Sequence, residues 1–493
     1  MLTRRELLAS SALAQAAPSR RPNLLVILAD DHAGYVLGAH GDPLAETPNL
    51  DRLAREGTRF ANHHCNSPVC TPSRQSLLTG QLPHAAGVTV LQTPLSEDKP
   101  TLAKRLKQAG YATGVIGKMH FNQPGRPGLH GFDYCMTEQE LNRDWMQKVK
   151  PAALDAGIRT KPRWQPFRDP ARIWLNADKL PYARREADMK AAHQLRLADD
   201  FLAGHANQPF ALWLSFHEPH SPFDFPIEDR DRFDARRFPV PPVGPEDAGQ
   251  IPLIFRDLSP EEKQGIIAGY YTSAHYLDRN IGRALDLLKK HRLEENTLVV
   301  YLADHGYSLG QHGRFEKHCG YNPALHVPLI WRWPGRIKQQ TITRFTEHID
   351  VPHTLTELLD LERLPERHGL NLFDHQRDHV FSEYLENEEV FLKTRDWKLI
   401  FGSGKRKRTD GYLTDNPTPG RYVKLFDLKK DPGEFHNVAG RNASTVTRLE
   451  RLILDRFRAT HPAAAHEPAR LALEESLEWY VRPRDAKPAA GPV

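Results

Sequence analysis

Ionisable residues follow directly after four separate apolar runs of the chain. The four sets are Asp30 with Asp31, Lys118 with His120, His217 with His220, and Asp304 with His305. Aspartate and lysine can hold ions of opposite charge, and histidine suits proton transfer because it titrates nearest to neutral pH. Together these residues predict the rim of an enzyme active site.

The four apolar runs span residues 24–29, 111–117, 210–216 and 298–303. Continuous apolar strands are typical of a parallel sheet that helices cover on both faces, and ligands bind beyond the carboxyl ends of such strands. Helical patterns lie between the runs, among them residues 102–109, which end at Gly110, and residues 261–291. The sequence therefore predicts an α/β fold whose large, mostly parallel sheet brings the ionisable residues to one edge.

Cys70 stands within residues 67–80, S-P-V-C-T-P-S-R-Q-S-L-L-T-G, where Pro72 can open a helix and Arg74 follows. A thiol at the start of a helix and beside a cation is biased toward reactivity. The alternative is a small buried cysteine in a turn. The spacing alone leaves both interpretations open.

The pattern changes after about residue 375. Short, closely spaced runs predict strands at residues 380–384, 389–394, 397–401 and 422–427. A turn signal, Asp431-Pro432-Gly433, and a helix at about residues 445–458 follow. We expect a smaller antiparallel sheet with a helix, in a C-terminal subdomain of residues 376–493. Residues 219–252, rich in proline and charge, are expected to form a long loop near the site.

Composition excludes several classes of protein. The surplus of five basic residues, 67 against 62, is too small for a nucleic-acid-binding surface, and four cysteines in 493 residues make no disulfide framework. Arg4-Arg5, a short apolar run and A-Q-A predict an export signal in residues 1–20, the alternative being a disordered start. Since no segment is long enough to span a membrane, we expect a soluble, periplasmic or secreted protein with a catalytic domain of residues 21–375.

The motif C-T-P-S-R at residues 70–74, followed by L-L-T-G, resembles the signature of the type I, formylglycine-dependent sulfatases in the alkaline-phosphatase-like superfamily. Residues 303–317, A-D-H-G-Y-S-L-G-Q-H-G-R-F-E-K, are similar to the iduronate-sulfatase branch. The resemblance covers residues 21 to about 440, where K-L-F-D-L-K-K-D-P-G-E looks like the family's carboxyl-terminal segment. It implies that a maturing enzyme converts Cys70 to formylglycine (3-oxoalanine).

The resemblance also implies a role for each matched residue. One Ca²⁺ would be bound by Asp30, Asp31, Cys70, Asp304 and His305. Because imidazole suits this hard cation less than carboxylate does, His305 has a role outside the ligand shell as an alternative. Lys118 and Lys317 would bind sulfate oxygens, and Arg74 would hold the hydrated aldehyde. His217 would protonate the leaving alcohol and His120 would assist the formylglycine hydroxyl, whereas His220 would contact the substrate or only structure its loop.

The expected function is hydrolysis of an organic sulfate ester, from a sulfated sugar or glycan. A phosphodiesterase or phosphonate monoester hydrolase on the same scaffold is one alternative, and an inactive glycan-binding homologue is the other. The basic run at residues 405–408 would contact an acidic sugar or form a solvated loop. His348 and Asp350 are expected to organise a strand-to-helix junction. Whether the other three cysteines, Cys65, Cys135 and Cys319, are free or paired is left open.

Overall fold

The computed structural model describes residues 21–161, 175–366, 368–404 and 420–485. The predicted export signal in residues 1–20 and the basic run at residues 405–408 lie outside the described residues. Within the described ranges, no helix is both long enough and apolar enough to cross a membrane.

A sheet of eight strands forms the centre of the molecule. The strands are β1 (Asn23–Asp30), β2 (Thr58–His64), β3 (Ala112–Gly117), β4 (Tyr134–Met136), β5 (Phe210–Pro219), β6 (Thr297–Ala303), β7 (Leu329–Arg332) and β8 (Gln340–Glu347). Their spatial order is β4-β3-β5-β1-β6-β7-β2-β8, and all neighbours are parallel except the two pairs that include β7. The four strands predicted to carry ionisable residues are consecutive neighbours, β3-β5-β1-β6, and their carboxyl ends share one edge. The predicted fold class is confirmed.

Helices cover both faces of this sheet. The helices of the described residues are α1 (Pro48–Glu56), α2 (Cys70–Thr79), α3 (Pro83–Ala86), α4 (Leu102–Gln108), α5 (Glu138–Lys148), α6 (Lys190–His205), α7 (Leu253–Arg256), α8 (Pro260–Lys290), α9 (Asn322–Leu325), α10 (Asp350–Leu358), α11 (Ala443–Thr460) and α12 (Leu473–Tyr480). The last two, α11 and α12, pack with the smaller sheet instead. Alternate residues of β1 enter two separate cores, Leu25 with Leu277 of α8 on one face and Leu24 with Leu106 of α4 on the other. This double burial explains why the strand reads as a continuous apolar run.

The C-terminal part forms the smaller antiparallel sheet that the sequence predicts. Its strands are β9 (His379–Tyr384), β10 (Glu389–Thr394), β11 (Trp397–Gly402) and β12 (Tyr422–Asp427), in the order β12-β11-β10-β9. Helix α11 packs on β10 and β11 and contacts α12, which was not predicted. The predicted loop at residues 219–252 contains only single turns of 3₁₀ helix after the end of β5.

One buried ion pair joins the smaller sheet to the rest of the molecule. Lys398 of β11 and Glu434, which follows the predicted turn, are 0% and 1% exposed, with Nζ 2.9 Å from Oε1. The second carboxylate oxygen of Glu434 accepts a hydrogen bond of 2.9 Å from the backbone N–H of Asn322 at the start of α9. The carboxylate therefore holds two parts of the chain that are distant in sequence.

We expect Lys398→Met to destabilise the protein by about 3–5 kcal/mol, because it leaves the Glu434 carboxylate buried without its cation. The double variant Lys398→Met/Glu434→Gln should recover most of this loss, since a neutral amide costs less to bury. Urea unfolding followed by circular dichroism measures both effects. Lys429→Met, which removes an exposed lysine, is the matched control and should cost less than about 1 kcal/mol. A wild-type midpoint for the single variant would contradict this account of the pair.

Candidate active site

The carboxyl ends of β1, β3, β5 and β6 meet the start of α2 in a buried crevice. Asp30 ends β1, Asp304 follows β6 directly, and Cys70 is the first residue of α2; each is at most 2% exposed. The expectation that Pro72 opens this helix is wrong by two residues. The backbone of Val69 is extended, so the helix begins at Cys70, and Pro72 fits into the first turn, where its missing N–H removes no helical hydrogen bond.

The Cys70 thiol lies among groups of both charges. Its Sγ atom is 3.0 Å from Lys317 Nζ and 3.2 Å from His305 Nε2. It is also 3.6 Å from Asp30 Oδ1 and 3.8 Å from Lys118 Nζ. Four of the residues predicted from the sequence thus surround one sulfur atom.

This environment activates Cys70 selectively. Burial opposes ionisation, but the ammonium groups of Lys118 and Lys317 outweigh it, and the pKa of the Cys70 thiol falls to about 7. All four cysteines are unpaired and buried, which settles the question left open by the sequence. Burial raises the pKa of Cys135 and Cys319 to about 11. Burial raises the pKa of Cys65 as well, so Cys70 is the one cysteine whose pKa lies below the ordinary value.

Arg74 joins the ends of four strands beneath the thiol. Its Nε atom donates to Asp304 Oδ2 at 2.8 Å, and its Nη2 atom is 3.3 Å from Asp30 Oδ1. Its Nη1 atom donates to the backbone carbonyl of Lys118 and, at 2.9 Å, to Ser215 Oγ. The side chain is completely buried. Arg74 therefore fixes the two carboxylates relative to each other.

Asp31 has the features of a ligand for a divalent cation. Ligand atoms of Asp30, Asp31, Cys70 and His305 all lie within 4.8 Å of one another. Asp31 Oδ2 is buried and accepts no hydrogen bond from the described residues. Burial raises the pKa of Asp31 to about 6, although Lys317 acts in the opposite direction. Lys317 Nζ donates to Asp31 Oδ1 at 2.8 Å, so among the described residues Oδ2 is the oxygen left without a donor, and a buried carboxylate oxygen without a donor fits a hard cation.

Asp304 is not a member of this group but lies at its side, next to the member His305. Asp304 Oδ1 accepts from the backbone N–H groups of Asp31 at 3.1 Å and His305 at 2.9 Å. His305 Nδ1 is 3.2 Å from Asp31 Oδ1. Burial disfavours the imidazolium, but Asp304 outweighs burial, and the pKa of His305 rises to about 9. A site that attracts a proton this strongly also attracts a cation, and a nitrogen that binds a metal must first release that proton.

His217, near the end of β5, and His220, the residue after it, lie at the same crevice. The ring centroids of His217 and His220 are 4.8 Å apart, and both residues form a second group of ligand-type atoms with Asp30. His220 Nε2 is 3.8 Å from Asp31 Oδ2. Burial and nearby lysines hold the pKa of both imidazoles well below the ordinary value. Both are therefore neutral at pH 7 in the protein alone.

His120 is oriented toward α5. Its Nε2 atom is 3.6 Å from Glu138 Oε1, and its buried Nδ1 atom has no hydrogen-bond partner in the described part of the chain. Burial and the charge of Lys118 lower the pKa of His120 to about 4. Glu138 is a partner that no sequence pattern indicated.

Several supporting residues were missed by the sequence analysis. Ser215 Oγ donates to the carbonyl of Lys118 at 2.5 Å, and Tyr270 of α8 donates to the carbonyl of Asp31 at 2.5 Å. Ser215 lies inside an apolar strand and Tyr270 inside the apolar stripe of an amphipathic helix, so the sequence around each residue does not indicate a role in the site. His348, predicted to organise a junction, also reaches the site, since its Nε2 atom is 2.8 Å from the carbonyl of Asp304.

A loop at residues 89–93 contacts the start of α2 and is held by a distant residue. The carboxylate of Asp485 accepts four hydrogen bonds of 2.6–2.9 Å from this loop. The carbonyl of Leu91 in turn accepts from Thr71 Oγ1 at 2.6 Å. Asp485 thus positions the loop that lies against the residue next to Cys70.

Comparison with known proteins finds matches along most of the chain. Residues 22–361 match the family model described as Sulfatase, and residues 310–458 match a model of the N-sulphoglucosamine sulphohydrolase C-terminal region. The chain is 26% identical over 500 residues to the choline-sulfatase of Rhizobium meliloti (strain 1021). The alignment covers 94% of this chain and 91% of that protein. It is 25% identical over 512 residues to the N-acetylglucosamine-6-O-sulfatase of Bacteroides thetaiotaomicron, with 88% and 85% covered.

A solved structure shares the fold. The phosphonate monoester hydrolase SpPMH from Silicibacter pomeroyi superposes with a TM-score of 0.72 at 24% identity, covering 90% of this chain and 97% of that one. At this level of identity the likeness shows a common fold and leaves the substrate undetermined.

We expect Ca²⁺ to stabilise the folded protein through Asp31. At a concentration of about 100 times Kd the cation should add ~2.7 kcal/mol to the free energy of unfolding, and so raise Tm. Asp31→Asn should lose most of this increase because it replaces a charged ligand of the proposed cation with a neutral amide. Thermal unfolding after treatment with a chelator, with and without added Ca²⁺, measures the effect. Asp286→Asn, which changes an exposed carboxylate on α8, should keep the full increase; an equal increase in Asp31→Asn would place the cation elsewhere.

Proposed function

The chain belongs to the sulfatase family, and from this premise we propose that it releases sulfate from a sulfated sugar or glycan, with a formylglycine made from Cys70 as its nucleophile. As a sulfatase it is a sulfuric ester hydrolase. The observation that carries the proposed mechanism is the position of Cys70 Sγ, within 3.6 Å of Lys317, His305 and Asp30. A nucleophile at this position lies between the groups that would bind an anion and those that would bind a cation.

Lys118 and Lys317 would bind the sulfate oxygens. Their Nζ atoms lie within 3.8 Å of Cys70 Sγ. Burial disfavours the ammonium groups, but Asp30 and Asp31 outweigh it, so the pKa of each lysine is raised and both remain charged at neutral pH. Fixed donors at the place where negative charge develops stabilise the transition state without reorganisation.

Asp30, Asp31, Asp304 and His305 would hold one divalent cation. Carboxylates predominate in this set, which favours the hard ion Ca²⁺. When bound, the cation would polarise the sulfate group and lower the pKa of the nucleophile. Arg74 supports this arrangement by neutralising Asp30 and Asp304 from the side of the protein interior.

A formyl group at residue 70 provides what a thiol or serine lacks, which is two hydroxyls on one carbon after hydration. One hydroxyl gives its proton to neutral His120 and its oxygen forms a bond to sulfur, while the bond from sulfur to the sugar oxygen breaks and that oxygen takes a proton from His217. Loss of the proton from the second hydroxyl then forms the C=O bond and breaks the C–O bond to sulfate, which restores the aldehyde. Splitting the reaction into two displacements lowers each barrier.

His217 would protonate the leaving oxygen. Its pKa is low in the protein alone because burial and nearby lysines disfavour the imidazolium. An anionic sulfate ester in the crevice favours the imidazolium and so supplies the proton where it is used. His220 would contact the substrate, and His120 would act on the formylglycine hydroxyl. Maturation of Cys70 would need a formylglycine-generating enzyme, and residues 1–20 would direct the protein to the periplasm or the exterior.

A phosphodiester or phosphonate monoester is the second candidate substrate, favoured by the fold shared with the Silicibacter enzyme. A sulfate monoester and a phosphodiester are both tetrahedral and both carry one negative charge. The lysine pair would therefore bind either, and only turnover distinguishes them. A glycan-binding protein without activity is less well supported, because the residues of every catalytic role are present.

Replacing Cys70 with serine tests the two-step reaction. We expect Cys70→Ser to release at most one equivalent of alcohol from an aryl sulfate and then stop, because its sulfate ester has no second hydroxyl. The wild-type protein should turn over repeatedly. Mass spectrometry of the tryptic peptide of residues 60–74 should show an aldehyde in the wild type and bound sulfate in the variant.

Cys135→Ser, which changes a buried thiol on β4, is the matched control and should turn over normally. Continued turnover by Cys70→Ser would exclude residue 70 as the nucleophile. If the wild type hydrolyses an aryl phosphodiester faster than an aryl sulfate, the alternative substrate class is correct.

The loss of kcat on removal of the proposed acid, His217, should depend on the leaving group. We expect His217→Ala to lower kcat about 10²–10⁴-fold for an alkyl sulfate, because the alkoxide needs a proton to leave. The loss should be much smaller for an aryl sulfate with an acidic phenol. Steady-state kinetics on both esters test this, with His220→Ala expected to raise KM more than it lowers kcat. Equal losses on the two esters would contradict the role of His217.

A further inference from the structure

A polar cavity of about 890 Å³ lies between the two sheets. One wall is β8, the edge strand of the large sheet, and the opposite wall includes β10 of the smaller sheet. Its volume falls within the range of roughly 300–1,000 Å³ typical of ligand sites. None of the residues assigned to the catalytic crevice lines it.

Basic side chains dominate the charged part of the wall. They are Arg344, Arg377, Lys393 and Arg395. Among the described residues, only Arg377 has a carboxylate within ion-pair distance. Arg344 donates to two backbone carbonyls, and its buried Nε atom has no hydrogen-bond partner in the same part of the chain. Arg395 is exposed at the turn between β10 and β11.

Lys393 is the clearest sign of an anion site. Its Nζ atom donates to Asn322 Oδ1 at 2.6 Å and lies 3.3 Å from His64 Nε2. Both partners are neutral, since burial holds the pKa of His64 well below the ordinary value. Burial and the charge of Lys398 lower the pKa of Lys393 to about 8. A largely buried ammonium with only neutral partners gains from a nearby anion.

The acidic groups of the cavity do not cancel this charge. Glu434 is already paired with Lys398 at 2.9 Å, and Asp378 is exposed. Three basic side chains that lack a carboxylate partner in the described part of the chain therefore face one exposed carboxylate, that of Asp378. Asn62, Gln340 and Thr341 add amide and hydroxyl groups that can bind sugar hydroxyls. This wall suits a ligand that carries both hydroxyl and anionic groups.

We propose that this cavity is a second binding site for an anionic polysaccharide, distinct from the site of cleavage. The choice of a sugar polymer rests on the proposed function, whereas the cations of the cavity indicate an anion independently. The cavity would hold sulfated or carboxylated sugar units while another part of the polymer enters the crevice. Two linked sites raise the effective concentration of the polymer at the crevice.

The proposal predicts that two cations of the cavity contribute to polymer binding. Binding of size-fractionated dextran sulfate is measured by titration calorimetry at low salt, in a Cys70→Ala background that cannot turn over. Lys393→Met/Arg395→Glu should weaken binding at least about tenfold, because two charged contacts are removed. Arg143→Glu/Lys148→Met makes the same charge changes on exposed residues of α5, beside the opposite edge strand β4, and should change affinity less than about twofold.

Two further probes separate the sources of binding. Uncharged dextran should not bind, and inorganic sulfate should bind far more weakly than the polymer. Equal affinities of the two double variants for dextran sulfate would overturn the proposal, and so would inorganic sulfate binding as tightly as the polymer. With Cys70 present, the cavity variant should hydrolyse a small aryl sulfate at the wild-type rate, since neither substitution touches the crevice. Failure of the proposed function would appear separately, as a wild-type protein that releases no sulfate.

Discussion

The site depends on a group of charges that the fold removes from water together. Asp30, Asp304 and Arg74 are completely buried, and Lys118 and Lys317 are less than a tenth exposed. An isolated ion costs several kcal/mol to bury, so each carboxylate is tolerable only because a cation stands against it. The neutralising lysines are also the groups that lower the pKa of Cys70. Stability of the crevice and activation of residue 70 therefore come from the same interaction.

The parallel arrangement of the strands in the large sheet brings these charges together. The strands β3, β5, β1 and β6 are parallel neighbours, so the residue that follows each apolar run arrives at the same edge. The meeting of these residues at one edge could be predicted from the sequence, because strands that are buried on both faces are continuously apolar. In contrast, β7 was missed, since Leu329–Arg332 is a short strand, antiparallel to its neighbours, with no alternation to mark it. Contacts such as Arg74 with Ser215 join residues far apart in the chain, and no local pattern reports them.

The smaller sheet supplies residues that attach it to the large sheet and also line the basic cavity. Glu434 binds Lys398 and the backbone of Asn322, and Asn322 also accepts from Lys393. The contacts that attach this sheet to the large one are thus shared with the wall of the basic cavity. Docking of the sheet creates that cavity, because one wall comes from β8 and the other from β10. The same few side chains link the assembly of the fold to the proposed binding of a polymer.

The hydrogen bonds from residues 89–93 to Asp485 imply an order of events during synthesis. Thr89 and Asp485 are separated by 396 positions, which a ribosome adding about 5–20 residues per second needs roughly 20–80 s to cover. The loop also bonds to Asn122 and Glu386, which are synthesised earlier, so its anchors are added in steps and those from Asp485 come last of the three. Cys70 is 2% exposed in the finished protein. Under the proposed maturation of Cys70, the modifying enzyme would therefore find this thiol most accessible on the nascent chain, before Asp485 has been added.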